Sequence, residues 1–282
     1  MIPQSNLSRL SNRLAKSGGR RIPEAVLERD YSIAWFLIGL SKVALRQKLA
    51  FKGGTALKRC YFADYRFSED LDFTLLEALT FEQLKADLEP IYMEVTRASG
   101  ITFRFSREDP TKHQNSYTFY LGYEGPLPRT STGKEIKVDV TVKEHLVFPV
   151  EERAVLKSYD EYFDLPENQR ILCYGLPEIA TEKTVALLDR ARSEPRDLYD
   201  LWNLISNASI SLSDLTDAIE QKLQFRNKTV EEVRGEFDKK EARLKKAWET
   251  RLATQMSELP EFEGVYRAVK REFRRANLSS SD

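Results

Sequence analysis

The chain has 282 residues, enough for a large core and two lobes, and its 44 basic and 44 acidic residues leave a formal net charge of zero. Bulk electrostatics therefore announce no nucleic-acid binder, and only a local patch is left to act as one. Nearly a third of the residues are charged, which fits a soluble protein with long exposed helices, and the sulfur and imidazole inventory is too thin for a structural zinc site or a Ser-His-Asp site: Cys60 and Cys173 lie far apart without metal-ligand spacing and read as reduced thiols, and His113 and His145 are the only histidines.

Residues 1–21 carry basic side chains but no apolar core of signal-peptide length, and the most apolar run, Ala34 to Leu40, is far too short to span a bilayer. The expectation is a cytoplasmic protein with no membrane segment. Ser5 to Lys16 reads as a basic helix with Leu7, Leu10 and Leu14 at helical spacing, ended by Ser17-Gly18-Gly19. Pro23 opens a second helix through Val26, Leu27, Tyr31, Trp35 and Leu40, apolar nearly all round past Ile33 and hence buried. Ala50-Phe51-Lys52 reads as a short strand that delivers Gly53 and Gly54, with a helix starting over Thr55 to Cys60.

Gly53 and Gly54 can take backbone angles closed to other residues and let a phosphate approach the amides at a helix N-terminus. Asp70 and Asp72 follow, two apart in the strand pattern Leu71-Asp72-Phe73-Thr74-Leu75, so both point to one face. Two like charges on one face are costly to bury unless a cation lies between them, and Mg²⁺ takes one or two carboxylates together with substrate phosphates. Glycine pair and acidic pair together read as a site for a metal-bound nucleoside triphosphate. Thr55 and Ser68 are each either a phosphate donor or an ordinary cap or turn hydroxyl. Arg66 pairs either with phosphate or with Asp64 or Glu69.

Thr80 has the character of an N-cap for a helix from Phe81 to Ala98, ended by Gly100. Three strands are expected at Ile101–Arg107, Ser116–Tyr123 and Glu135–Val142, with a loop from Gly125 to Lys134. That order is α+β with a mixed or antiparallel sheet, not regular βαβ alternation. In Ile136-Lys137-Val138-Asp139-Val140-Thr141-Val142 the alternation sets Asp139 on the face opposite the apolar residues, either an exposed strand acid or a third functional carboxylate. Beyond about Pro149 the pattern turns helical: one helix from Pro177 through Arg192, another from near Pro195, a third over Ser211–Phe225. A long, largely solvated helix is expected over Lys228–Met256, then a closing helix over Glu261–Arg275 with a basic face and a disordered tail from Leu278.

Gly-Gly-Thr-Ala-Leu at 53–57 followed by Arg-Phe-Ser-Glu-Asp-Leu-Asp at 66–72 closely resembles the AbiEii/AbiGii toxin family of nucleotidyltransferases, in the DNA polymerase β-like superfamily. The resemblance runs from about Glu28 to about Trp202 and includes Lys137-Val138-Asp139-Val140, Glu182-Lys183 and Arg196-Asp197-Leu198-Tyr199-Asp200-Leu201. It implies that Asp139 is the third carboxylate, which deprotonates the attacking hydroxyl or holds a second metal, and that Lys183 contacts the triphosphate. Asp197 and Asp200, at i and i+3 on a helix, share a face. They are helix N-terminal charge, or they position Lys183, or they bind the base or ribose.

The resemblance further implies a polymerase β-like lobe over residues 22–150, preceded by the N-terminal helix, and a mainly helical lobe over 151–282, with the active cleft between them. It implies two Mg²⁺ ions, an NTP donor, an acceptor such as the 3′ end of tRNA, and an AbiEi-like antitoxin encoded beside the toxin. The basic clusters Arg9–Arg21 and Arg267–Arg275 are solvated faces or RNA contacts. A regulatory module that holds NTP without transferring it, or transfer to a protein or small molecule, is the rival expectation.

Overall fold

Two helices open the chain in the computed structural model, which describes residues 1–16, 19–111, 114–131 and 133–280. Ser17-Gly18 of the expected helix stop, His113 and the last two residues of the tail lie outside the described residues. Helix α1 (Gln4–Lys16) turns Leu7 and Leu10 inward, and α2 (Glu24–Leu40), apolar on every side, is buried continuously from Asp30 to Leu40. The two buried acids of α2 each have a cation: Asp30 pairs with Arg59, and Glu28 accepts from Lys134 Nζ at 2.8 Å and from the Leu127 amide at 2.7 Å. The second contact ties down the loop between residues 125 and 134.

Seven strands of the described residues form one mixed sheet: β1 (Leu49–Lys52), β2 (Leu71–Leu75), β3 (Thr102–Glu108), β4 (Ser116–Glu124), β5 (Glu135–Thr141), β6 (Val150–Ala154) and β7 (Arg170–Tyr174). Their order is β3-β4-β5-β2-β1-β7-β6, parallel at β2/β5 and β1/β7 and antiparallel elsewhere. Between β1 and β2 the chain winds through α3 (Gly53–Ala56) and, without a break, a π-helical turn (Leu57–Tyr61), so the helix expected over Thr55 to Cys60 is present but changes its winding after Ala56. After β2, α4 (Phe81–Ser99) starts at a Thr80–Gln83 capping box and stops at Gly100, whose φ of 78° suits the left-handed cap. A Cβ on Gly39 of α2 would lie 2.6 Å from Val95 of α4, so the two helices approach too closely for any larger residue there. Phe36 of α2 meets Phe103 of β3 edge to face at 5.6 Å, and Phe119, Leu121, Ile136, Val138 and Val140 line the same buried side of the sheet.

Beyond Pro149 the sheet does not end as the helical pattern suggested. Strands β6 and β7 pair with each other, and β7 joins β1, where Cys173 is opposite Phe51. These are five-residue strands whose stability comes from partners distant in sequence, and no local periodicity announces that. Cys60 and Cys173 are free and buried; burial first, then the hydrogen bond to Cys60, pushes the Cys173 thiol well above its ordinary range.

Contacts divide the chain into two compact units, one of Met1–Glu144, Val150–Tyr174 and Gln255–Ser257, the other of His145–Pro149, Gly175–Thr254 and Glu258–Asp282. The second is helical: α5 (Leu176–Leu188), α6 (Pro195–Asn207), α7 (Thr216–Phe225), α8 (Val230–Val233), α9 (Glu241–Leu252) and α10 (Phe262–Arg275). The expected long helix over 228–256 is broken after α8, where Gly235 takes a φ of 75°. Phe237 beyond the break is fully buried against Phe273 and Tyr266, at 4.4 and 4.9 Å between ring centres. The Lys240 ammonium donates to the carbonyls of Leu187 and Arg192 at 2.6 and 2.7 Å, and to that of Asp189, satisfying the end of α5. Leu278 is buried, and its backbone bonds to Phe273 and Gly235, so the tail expected from that residue is packed through Ser280.

Candidate active site

Strand register brings the acidic residues together. Pairing of β1 with β2 sets Lys52 opposite Asp72, parallel pairing of β2 with β5 sets Asp72 opposite Asp139, and β4 sets Thr118 opposite Asp139. Residues in register on neighbouring strands leave the sheet on the same side at roughly 4.8 Å strand spacing. A row Lys52–Asp72–Asp139–Thr118 thus crosses four strands, on the side opposite the buried Val138 and Val140.

Local contacts fix that row. Thr118 Oγ1 donates to Asp139 Oδ1 at 2.6 Å, and Lys137 Nζ lies 3.0 Å from Asp139 Oδ2. Lys52 Nζ donates to Thr141 Oγ1 at 3.0 Å. Burial draws the Lys137 ammonium toward a lower pKa, but Asp139 and, more weakly, Asp70 outweigh it and leave it raised. Gly53 has a φ of 79°, and a Cβ there would fall 2.5 Å from Asp72 Oδ2, so backbone lies directly against that carboxylate. Gly54 follows, buried, in α3.

The remaining residues of the motif loop are mostly committed to the loop itself. Thr55 is buried and its hydroxyl donates to the Asp70 carbonyl at 2.5 Å, which closes the loop onto the helix start. Ser68 is buried, and Glu69 pairs with Arg29. Arg66 is 3% exposed and donates to Gln255 Oε1 at 2.9 Å and Phe67 O at 3.3 Å, while the Phe67 amide donates to Gln255 O at 2.6 Å. Residues Gln255–Ser257 thereby strap the segment that leads into Asp70. Asp70 itself borders an open hollow with Arg29, Tyr120, Glu135 and Lys137.

No three His, Cys, Asp or Glu side chains among the described residues converge into a ready-made metal cluster. The donor set nevertheless fits Mg²⁺: Asp72 and Asp139 offer hard oxygens side by side under a glycine backbone, and this ion completes its octahedron from waters and substrate phosphates.

In the helical unit, Lys183 of α5 meets both acids of α6 at once, Asp197 Oδ1 at 2.8 Å and Asp200 Oδ2 at 2.7 Å. Arg192 adds contacts to Asp197 at 2.6 and 3.2 Å. Burial pushes the Asp197 carboxyl up, yet the charges and hydrogen bonds of Lys183 and Arg192 prevail and hold it below its ordinary value. The cluster joins Lys183 to both acids.

Sequence reasoning assigned no role to Lys52, Thr118, Lys137 or Arg192. Lys52 and Lys137 sit inside the motifs and were visible there, whereas Thr118 depends on register alone. Of the basic clusters, Arg13 is spent on Glu161 at 2.7 Å, and Lys270 and Arg275 pair with Asp238 and Glu272 at 3.4 and 2.6 Å. Arg267, Lys270, Arg271, Arg274 and Arg275 still line one open groove along α10. No helix of the described residues is long and apolar enough to cross a membrane.

Solved structures share the fold of this chain. MenT4, a nucleotidyltransferase toxin of Mycobacterium tuberculosis H37Rv, shares the fold with a TM-score of 0.65 over 98% of this chain and 90% of its own, at 17% identity. JHP933 of Helicobacter pylori matches with a TM-score of 0.53 over 90% of this chain and 92% of its own, at 15% identity. No curated protein matches the sequence. The family model described as nucleotidyl transferase AbiEii toxin, type IV TA system, matches residues 35–274. With its glycine pair, acidic row and Lys183 cluster inside that span, the chain belongs to the AbiEii family of nucleotidyltransferase toxins, the toxin half of a type IV toxin–antitoxin pair.

Proposed function

We propose that this nucleotidyltransferase is Mg²⁺-dependent and transfers a nucleoside monophosphate from an NTP to a hydroxyl of RNA, the 3′ end of tRNA being the acceptor. A bond forms between the acceptor oxygen and the α-phosphorus, the α–β phosphoanhydride bond breaks, and pyrophosphate leaves. The observation that carries the reading is the in-register pair Asp72 and Asp139 under Gly53. When bound, the metal supplies Lewis-acid stabilisation of the phosphoryl oxygens. Gly53 and Gly54 would admit the polyphosphate to backbone amides, and Asp70, Asp72 and Asp139 would hold the ions. Asp139 also takes the acceptor proton at a carboxylate oxygen.

Lys183, held by Asp197 and Asp200, supplies a point charge for the triphosphate. The ridge Arg267–Arg275 on α10 offers RNA phosphates a local positive surface despite zero net charge. The work is done in the cytoplasm, and an AbiEi-like antitoxin is the partner.

The test is incubation with each α-³²P-labelled NTP, Mg²⁺ and total bacterial RNA or lysate. Label in RNA that disappears with EDTA, and that falls roughly a hundredfold or more in Asp139→Asn, is expected. Label confined to protein or metabolites for all four NTPs would overturn the RNA assignment.

A further inference from the structure

Both oxygens of Asp139 already have partners: Thr118 holds Oδ1 at 2.6 Å and the Lys137 ammonium lies 3.0 Å from Oδ2. Lys137 is two residues from Asp139 on β5, in register with Tyr120 of β4, and borders the hollow beside Asp70. The other acids of that hollow are engaged elsewhere, Glu69 by Arg29 and Glu135 by Arg107 at 2.8 Å. Across the site, Asp72 faces Asp139 from β2. An in-register acidic pair on one sheet face is mutually repulsive, and an ammonium at its edge relieves that repulsion.

We infer that Lys137 is a counter-ion of the acidic row that competes with a divalent cation for Asp139 and moves to a nucleotide phosphate when one arrives. The inference rests on the proposed metal role of Asp72 and Asp139. An ammonium at Oδ2 and a divalent ion on the same carboxylate repel, so the lysine opposes metal binding in the absence of nucleotide. A triphosphate brings new negative charge to the row. The flexible four-carbon stem of Lys137, half-exposed at the hollow, lets the ammonium swing toward that charge. The lysine thereby couples the two ligands, disfavouring metal alone and favouring metal with nucleotide.

The experiment measures Mn²⁺ binding to the full-length protein through the EPR signal of the free ion, with and without a non-hydrolysable NTP analogue. For Lys137→Gln, Mn²⁺ alone is expected to bind about tenfold more tightly than to wild type, and the analogue more weakly in the presence of Mn²⁺. Lys137→Arg, which keeps the charge, is expected to stay near wild type for Mn²⁺ alone. Opposite signs for the two ligands are what a merely structural strand lysine would not give. If Asp139→Asn abolishes Mn²⁺ binding but Lys137→Gln leaves it unchanged or weakens it, the counter-ion role is overturned and the metal site stands. Mn²⁺ binding indifferent to Asp72→Asn and Asp139→Asn overturns both.

Discussion

Replacing Lys183 with methionine leaves two buried carboxylates facing each other without their shared cation. Asp200 and Asp197 have side chains only 0% and 3% exposed, against 12% for Lys183, so water does little to screen them. Taking one partner from a buried ion cluster costs about 3–5 kcal/mol, a large share of the roughly 5–15 kcal/mol that keeps a protein folded. Arg192 still covers Asp197 through its contacts at 2.6 and 3.2 Å, which limits the cost at that acid. The triple change Lys183→Met, Asp197→Asn, Asp200→Asn removes the acids with the cation and is expected to recover all but about 1 kcal/mol. Urea denaturation of the three proteins, set beside incorporation of labelled NMP, separates the two consequences. If Lys183 serves the triphosphate, single and triple variants are both inactive while only the single variant is unstable. A Lys183→Met protein within about 0.5 kcal/mol of wild type would refute the energetic argument. A triple variant with normal turnover would refute the catalytic one. The Asp197 carboxyl titrates below its ordinary value in the folded protein. The stability it contributes is therefore complete above about pH 4 and lost as pH falls through the folded value, a dependence the triple variant should lack.

Gly53→Ala combines a left-handed backbone position with a Cβ 2.5 Å from Asp72 Oδ2, and is expected to cost about 1–2 kcal/mol in thermal unfolding and to displace the carboxylate enough to impair transfer; an alanine variant of full activity would show that the close approach is dispensable. Gln255→Ala removes one acceptor of the buried Arg66 Nη1 but leaves the backbone bond to Phe67, so stability should fall by about 1–2 kcal/mol in denaturant titration, and no loss would mean that the strap is held elsewhere. Arg267→Glu with Arg271→Glu on α10 avoids the ion pairs of Lys270 and Arg275, and should lower the salt slope of RNA binding by about one per charge removed while NTP binding is spared; an unchanged slope would detach that groove from RNA.

What was legible in the sequence was whatever a single segment determines. The alternation around Asp139 gave its face, the all-apolar α2 announced its burial, and Thr80 with Gly100 bounded α4 closely. Strands β6 and β7 were missed because their partners are each other and β1, more than a hundred residues earlier in the case of Cys173 and Phe51. The break after α8 turns on one glycine within a charged helical pattern, and on Phe237, whose burial against α10 outweighs the local preference for continuing the helix.

The site divides along the same line. Spacing suggested one strand face for Asp70 and Asp72, but β2 begins at Leu71, after Asp70, and the relation of Asp72 to Asp139 depends on whether β5 runs parallel to β2 and in which register. A slip of one residue would bring Val138 or Val140 opposite Asp72, and the acidic row would vanish into the core. That register is set by the apolar alternation of Ile136, Val138 and Val140 against Leu71 and Phe73, all buried. The residues that bury the sheet therefore also fix the distance between the carboxylates. Enlarging or polarising one of them, as in Val138→Asp, should abolish transfer through misregister or unfolding although it touches no ligand, and a folded, active Val138→Asp protein would contradict this dependence.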